Sequence, residues 1–265
     1  MITAGIDVGA KTIKLVLLED GRNLAQRIAP AGFDTGSALD QLWAEVLAAA
    51  GGIRRDGIAC VVATGAGRKE VAGADDLVTE VGAAAKGACF LFPTARTVID
   101  VGAEEGRAVR CGDHGKVEDF AVNEKCAAGA GTFTEAMARA LEVGVEELGR
   151  MSLRASKTVP MNAQCTVFAE SEVVSLLHAK TPKEDISRAV HDAIASRITS
   201  MVRKVGFQKD VTLVGGMARN PGFIDSMQRA LETEVLVPAE PEFVGALGAA
   251  LIAAERVSEK VQGRG

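Results

Sequence analysis

The pentapeptide Ile-Asp-Val-Gly-Ala occurs twice, at residues 6–10 and 99–103, so Asp100 repeats Asp7 after 93 residues in a chain of 265. Each copy ends a short apolar run and leads through a turn into a second one: "GIDVGAKTIKLVLLEDGR" from Gly5 and "VIDVGAEEGRAVRCGDHGK" from Val98. A third strand-like run follows each time, "LAQRIA" at 24–29 and "VEDFAV" at 117–122, and then a helical segment. In the first half that helix is predicted over 37–50, where Leu39, Leu42, Val46 and Leu47 recur at helical spacing. In the second it is predicted over 131–143, with Phe133, Met137 and Leu141 on one face. The pattern predicts an α/β protein of two related lobes with mixed sheets, residues 1–95 and 96–241. A last helix, 242–257, returns to the first lobe.

Hydrophobic residues make up 48% of the chain, enough for real cores, and Ala, Val and Gly take the place of scarce aromatics. The formal charge is −5 and no basic stripe is present, so a nucleic-acid partner is not expected. No apolar run reaches membrane-spanning length, and "MITAGIDVGA" carries no basic region followed by an apolar segment. A cytoplasmic protein without a membrane partner is the expectation. The five cysteines, Cys60, Cys89, Cys111, Cys126 and Cys165, are odd in number and do not suggest a disulfide framework.

Two strand ends carrying Asp and Gly suit nucleotide phosphates, because glycine lets backbone N–H groups approach anionic oxygens. Asp7 and Asp100 would then organise a hydrated Mg²⁺, which takes few carboxylates and keeps its waters. Lys11 or Lys14 would meet a phosphate as a point charge. One such turn alone reads better as a hairpin with Asp as turn former; the pair favours phosphate binding. A third glycine site, "VTLVGGMARNPG", reads as a buried strand entering a turn, with Asn220 as N-cap and Pro221 at the first helical position. Gly215 and Gly216 there leave room for a flat adenine or ribose. From about Pro182 a long helix is predicted, with Ile186, Val190, Ile194, Ile198 and Met201 as its core face. His114, His178 and His191 lack metal-ligand spacing.

"GIDVGAKTIK", "TGAGR" at 64–68, "TEVGAAAKGA" at 79–88, "VIDVG", "NEKCAAGAGTF", "AQCTVFAESEVVSLL" at 163–177 and "GGMARNPG" together resemble one family. It is the BadF/BadG/BcrA/BcrD-type ATPases, within the sugar kinase, Hsp70 and actin superfamily. Its members are ATP-dependent activators of 2-hydroxyacyl-CoA dehydratases and ATP-binding subunits of benzoyl-CoA reductase. The resemblance implies an actin-like (ribonuclease H-like) ATPase fold with nucleotide held in a cleft between the lobes. It also implies a dimer with an identical or homologous ATPase subunit, bridged by a [4Fe-4S] cluster to which each chain gives two cysteines, here Cys126 and Cys165. By the residues alone, those two read better as small buried hydrophobes. Both precede helical stretches, where the positive dipole end favours thiolate. ATP/ADP contacts carried over from the family fall on Gly9, Ala10, Lys11, Thr12 and Lys14 in the first turn and on Gly102 and Ala103 in the second. Further ones fall on Gly129 and Gly131 after Cys126, and on Gly215, Gly216, Met217 and Asn220. The catalytic set would be Asp7, Asp100 and Glu104, the last as a base. Ferredoxin or flavodoxin would donate the electron, and a catalytic CoA-thioester reductase or dehydratase would receive it.

The sequence also departs from the family. Dehydratase activators typically carry Gly-Gly-Gln-Asp after the second strand, whereas Gly102-Ala103-Glu104-Glu105-Gly106-Arg107 stands here. The first loop lacks the usual hydroxyl residues, and Ala84 replaces a frequent histidine. These changes point to an ATP-binding subunit of a benzoyl-CoA reductase ahead of a stand-alone activator. A small-molecule kinase and a non-catalytic nucleotide sensor of the same fold are the other readings.

Overall fold

The computed structural model describes residues 1–123, 130–161 and 166–262. The chain divides into two compact units. The first comprises Met1–Pro93, Cys111–Val117 and Glu242–Gly265, and the second Thr94–Arg110 and Glu118–Pro241. Cys111–Val117 is the turn between two strands of the second half, and no sequence pattern marks it as part of the first unit.

The first unit runs β1 (Ile2–Val8), β2 (Thr12–Glu19), β3 (Arg22–Pro30), α1 (Thr35–Ala49), β4 (Ile58–Thr64), β5 (Asp76–Leu77) and α2 (Glu80–Leu91). The second half of the chain runs β6 (Thr97–Val101), β7 (Gly106–Cys111), β8 (Val117–Asn123), α3 (Ala130–Ala140), α4 (Val145–Ser152), α5 (Thr166–His178), α6 (Lys183–Val205), β9 (Val211–Val214), α7 (Pro221–Leu231) and β10 (Val235–Leu236). The last helix, α8 (Val244–Gln262), belongs to the first unit. The two five-stranded sheets have the orders β3-β2-β1-β4-β5 and β10-β9-β6-β7-β8, one topology used twice. β1 pairs antiparallel with β2 and parallel with β4; β6 pairs antiparallel with β7 and parallel with β9.

β2 shows how this sequence makes the sheet. Its alternate residues Ile13, Leu15 and Leu17 face a core shared with Leu39, Leu42, Trp43 and Val46 of α1. Val16 and Leu18 face the other way, onto Phe243, Ala246, Ala250 and Leu251 of the C-terminal segment. A strand covered on both sides reads as a near-continuous apolar run, which is why "TIKLVLLE" shows little alternation. In the second unit Ile99, Val101 and Leu213 of the sheet pack with Phe133 and Met137 of α3 and Ile194 and Ile198 of α6.

α4 is short. It buries Leu148 and Met151 on one side, and Glu146, Glu147 and Arg150 supply its charged residues. α5 is the reverse case: an apolar helix burying only Ala169 and Val173, with Val167 and Phe168 66% and 74% exposed. Among the described residues no helix is long and apolar enough to cross a membrane.

Candidate functional site

Both Asp-Val-Gly turns are built alike. In the first, register places Asp7 opposite Lys14, and Lys14 Nζ lies 3.2 Å from Asp7 Oδ2. The turn closes through Gly9 N–H donating to the Thr12 carbonyl at 3.0 Å. In the second, Asp100 lies opposite Arg107, whose Nη1 is 3.1 Å from Asp100 Oδ2. Gly102 N–H donates to the Glu105 carbonyl at 2.9 Å. Both aspartate side chains are 17% exposed and both cations 12%.

The other oxygen of each aspartate faces a glycine ending the neighbouring parallel strand. A Cβ on Gly65 would stand 2.6 Å from Asp7 Oδ1, and one on Gly215 would stand 2.6 Å from Asp100 Oδ1. Both glycines have positive φ, 92° and 85°, so side-chain space and backbone conformation exclude other residues together. Gly215 is thus explained by its contact with Asp100. Gly216, next to it, has open space where a Cβ would be.

α3 begins on the second turn. Gly131 N–H donates to the Gly102 carbonyl at 3.2 Å, and Thr132 N–H and Oγ1 both donate to the Ala103 carbonyl, at 3.0 and 3.1 Å. A Cβ on Gly131 would lie 2.8 Å from Ala103 Cα. Glu104 is exposed at the turn's tip, while Ala10 and Lys11 are exposed in the first turn and Thr12 is half-buried.

Comparison with known proteins points to one family. Residues 4–253 match the BadF/BadG/BcrA/BcrD ATPase family. The chain belongs to that family. It is 41% identical to an activator of lactoyl-CoA dehydratase from Anaerotignum propionicum, over 98% of this chain and all of the relative. It is 30% identical to a component of the benzoyl-CoA reductase of Thauera aromatica, over 96% and 94% of the two chains. A solved activator of 2-hydroxyisocaproyl-CoA dehydratase from Clostridium difficile, with bound ADPNP, superposes with a TM-score of 0.91 at 37% identity, covering 99% of this chain and 98% of that one. The fold is therefore that of the actin-like ATPases. The identities lean toward the activators, against the expectation of a benzoyl-CoA reductase component that the second turn raised.

The remaining residues expected to serve this ATPase are placed variously. Cys126, Cys165 and Gly129 fall outside the described residues. Met217 is buried against the Thr134 hydroxyl, and Asn220 Oδ1 accepts from the N–H groups of Gly222 and Phe223, capping α7. Cys60 is buried, and that burial pushes its thiol up. Cys89 and Cys111 bring their sulfurs within 3.3 Å. Among the described residues no group of three or more His, Cys, Asp and Glu side chains is placed to hold a metal ion. A polar hollow lined by Asp192, Ser196, Thr199, Arg203, Ser226 and Arg229 includes none of the expected site residues.

His191 of α6 is fully buried, and desolvation lowers its pKa to about 4. Its Nδ1 lies 2.8 Å from the Ser187 carbonyl, an acceptor only, so Nδ1 carries the proton. Between pH 4 and 6.5 the unfolded chain binds a proton here that the folded chain refuses, so stability rises with pH across that window. The contribution, about 3 kcal/mol, is complete above about pH 6.5 and gone by about pH 4. Urea unfolding of the parent and His191→Gln at several pH values will check this, and the substitution is expected to flatten the slope in that window.

Proposed function

We propose that this ATPase uses ATP to drive one low-potential electron into a partner that dehydrates a 2-hydroxyacyl-CoA. The observation that carries the reading is the docking of α3 on the second turn, because Cys126 lies four residues before that helix. Any change at a phosphate on Gly102 and Ala103 reaches the start of α3 through three hydrogen bonds, and Cys126 follows closely along the chain. The similarity to dehydratase activators supports the choice of partner.

In this reading Lys11 and Lys14 meet the phosphates as point charges. Asp7 and Asp100 hold waters of a Mg²⁺; two carboxylates already balanced by neighbouring cations fit an ion that takes few protein ligands. Glu104, exposed at the tip of the second turn, accepts the proton of the attacking water. The glycines of both turns and Gly216 give the nucleotide close approach to the backbone, with Ala10, Thr12, Met217 and Asn220 completing its contacts.

Cys126 and Cys165 hold half of a [4Fe-4S] cluster, and an identical or homologous ATPase subunit holds the other half. The cluster supplies one-electron transfer when bound. The exposed Val167 and Phe168 of α5, shortly after Cys165, suit burial against that mate. Ferredoxin or flavodoxin is the donor, and the site of action is the cytoplasm.

Anaerobic purification followed by iron and sulfide assay tests the proposal. About four irons per two chains are expected, lost in Cys126→Ser and in Cys165→Ser. A colourless, iron-free protein that phosphorylates a metabolite would make it a kinase instead.

A further inference from the structure

The two turns share a frame and differ in charge. Thr12 and Lys14 stand in the first turn where Glu105 and Arg107 stand in the second, at the same offset as the aspartates. Lys14 Nζ contacts one carboxylate, that of Asp7, and is 3.4 Å from the Thr12 carbonyl. Arg107 contacts two: Nη1 donates to Asp100 Oδ2 at 3.1 Å, and Nη2 pairs with Glu105. An ammonium is a point charge, whereas a guanidinium is a planar fork that can hold two carboxylates at once. The turn with an added carboxylate therefore also has the cation able to neutralise it. From Asp100 to Arg107 the charged residues are Asp100, Glu104, Glu105 and Arg107, three acids against one base. Glu104 has no ion pair among the described residues.

We propose that Arg107 is the positioning residue that keeps this acidic turn fit to receive Mg·ATP. One prong of its guanidinium fixes the Asp100 carboxylate against Gly215. The other holds Glu105 and offsets part of the charge that it adds to the turn. Glu104 is left as the free base at the tip. Without Arg107, Asp100 and Glu105 lose the cation they share as the turn meets a polyanion, and Asp100 loses a contact that orients it. The inference rests on the ATP-driven reading above and adds that Glu105 is the burden Arg107 relieves.

The test is nucleotide titration of the anaerobically purified full-length protein at fixed ionic strength, followed by the Mg²⁺ concentration giving half-maximal binding. Arg107→Gln is expected to weaken Mg·ATP binding about tenfold or more, on the order of 1.4 kcal/mol, and to raise the Mg²⁺ requirement. Glu105→Gln alone is expected to change affinity less than about threefold, and Glu105→Gln with Arg107→Gln to recover a large part of the loss. Simple loss of structure would not be rescued by a second substitution. Should Arg107→Gln fail to fold, Arg107→Lys, which keeps the charge without the fork, carries the same comparison: adding Glu105→Gln is expected to tighten binding. A double variant no tighter than its single Arg107 parent, or Arg107→Gln binding within about twofold of the parent protein, would overturn the inference while leaving the ATPase reading intact. A parent protein that binds no Mg·ATP would overturn both.

Discussion

Gly248→Val is expected to destabilise the first unit by about 4 kcal/mol, a large share of the roughly 5–15 kcal/mol that holds a typical domain together. α8 lies against β1 and α2 with backbone touching backbone. A Cβ at Gly248 would stand 1.8 Å from the Ala83 carbonyl oxygen, and one at Gly87 would stand 2.2 Å from that of Val244. From the sheet side, a Cβ at Gly5 would stand 2.0 Å from the Ala246 carbonyl oxygen. Main-chain atoms in two regular elements cannot step aside as a side-chain tip can, so the helices must separate and lose the contacts of Ala246, Ala249, Ala250 and Ala253, all fully buried. Urea unfolding measures the effect. Gly57→Ala, where a Cβ meets nothing within 4 Å, is the control and is expected to stay within about 0.5 kcal/mol. A Gly248→Val protein as stable as the control would mean that α8 does not pack this closely.

Asp100→Asn is expected to lower kcat for ATP hydrolysis on the order of a hundredfold or more, the usual loss when a preorganised charge is removed from a reacting phosphoryl group. The substitution conserves shape, so the fit against Gly215 survives. What disappears is the charge that Arg107 holds in place and that is proposed to order the metal's waters. The melting temperature should therefore move little while the Mg²⁺ requirement rises and kcat falls. Asp7→Asn, at the equivalent place with Lys14, is expected to behave similarly. Activity within about tenfold of the parent would remove Asp100 from the catalytic set.

The expectation of a benzoyl-CoA reductase component, which the identities do not favour, has a definite physical origin. As letters, "GAEEGR" shows acids where phosphate is expected, and that favours a reductase component over an activator. In the folded chain Glu105 is paired with Arg107, a contact that the letters do not reveal. α4 leaves little trace in the sequence for a different reason: at eight residues it is too short for its period to repeat. The Asn220-Pro221 start of α7, by contrast, is legible, because capping involves only residues two or three apart in the chain.

The sequence by itself determined the doubled strand-turn-strand plan, the aspartates at its two turns and the helices with a clear apolar face. Each depends on side-chain periodicity or turn chemistry within a few residues. Only the tertiary structure decided which cation serves which carboxylate, why Gly65 and Gly215 must be glycine, and that α3 starts on the Gly102–Ala103 turn. Those facts arise where separate segments meet, across strand pairs or between a helix and a loop. No local pattern encodes a distance between residues brought together only by folding.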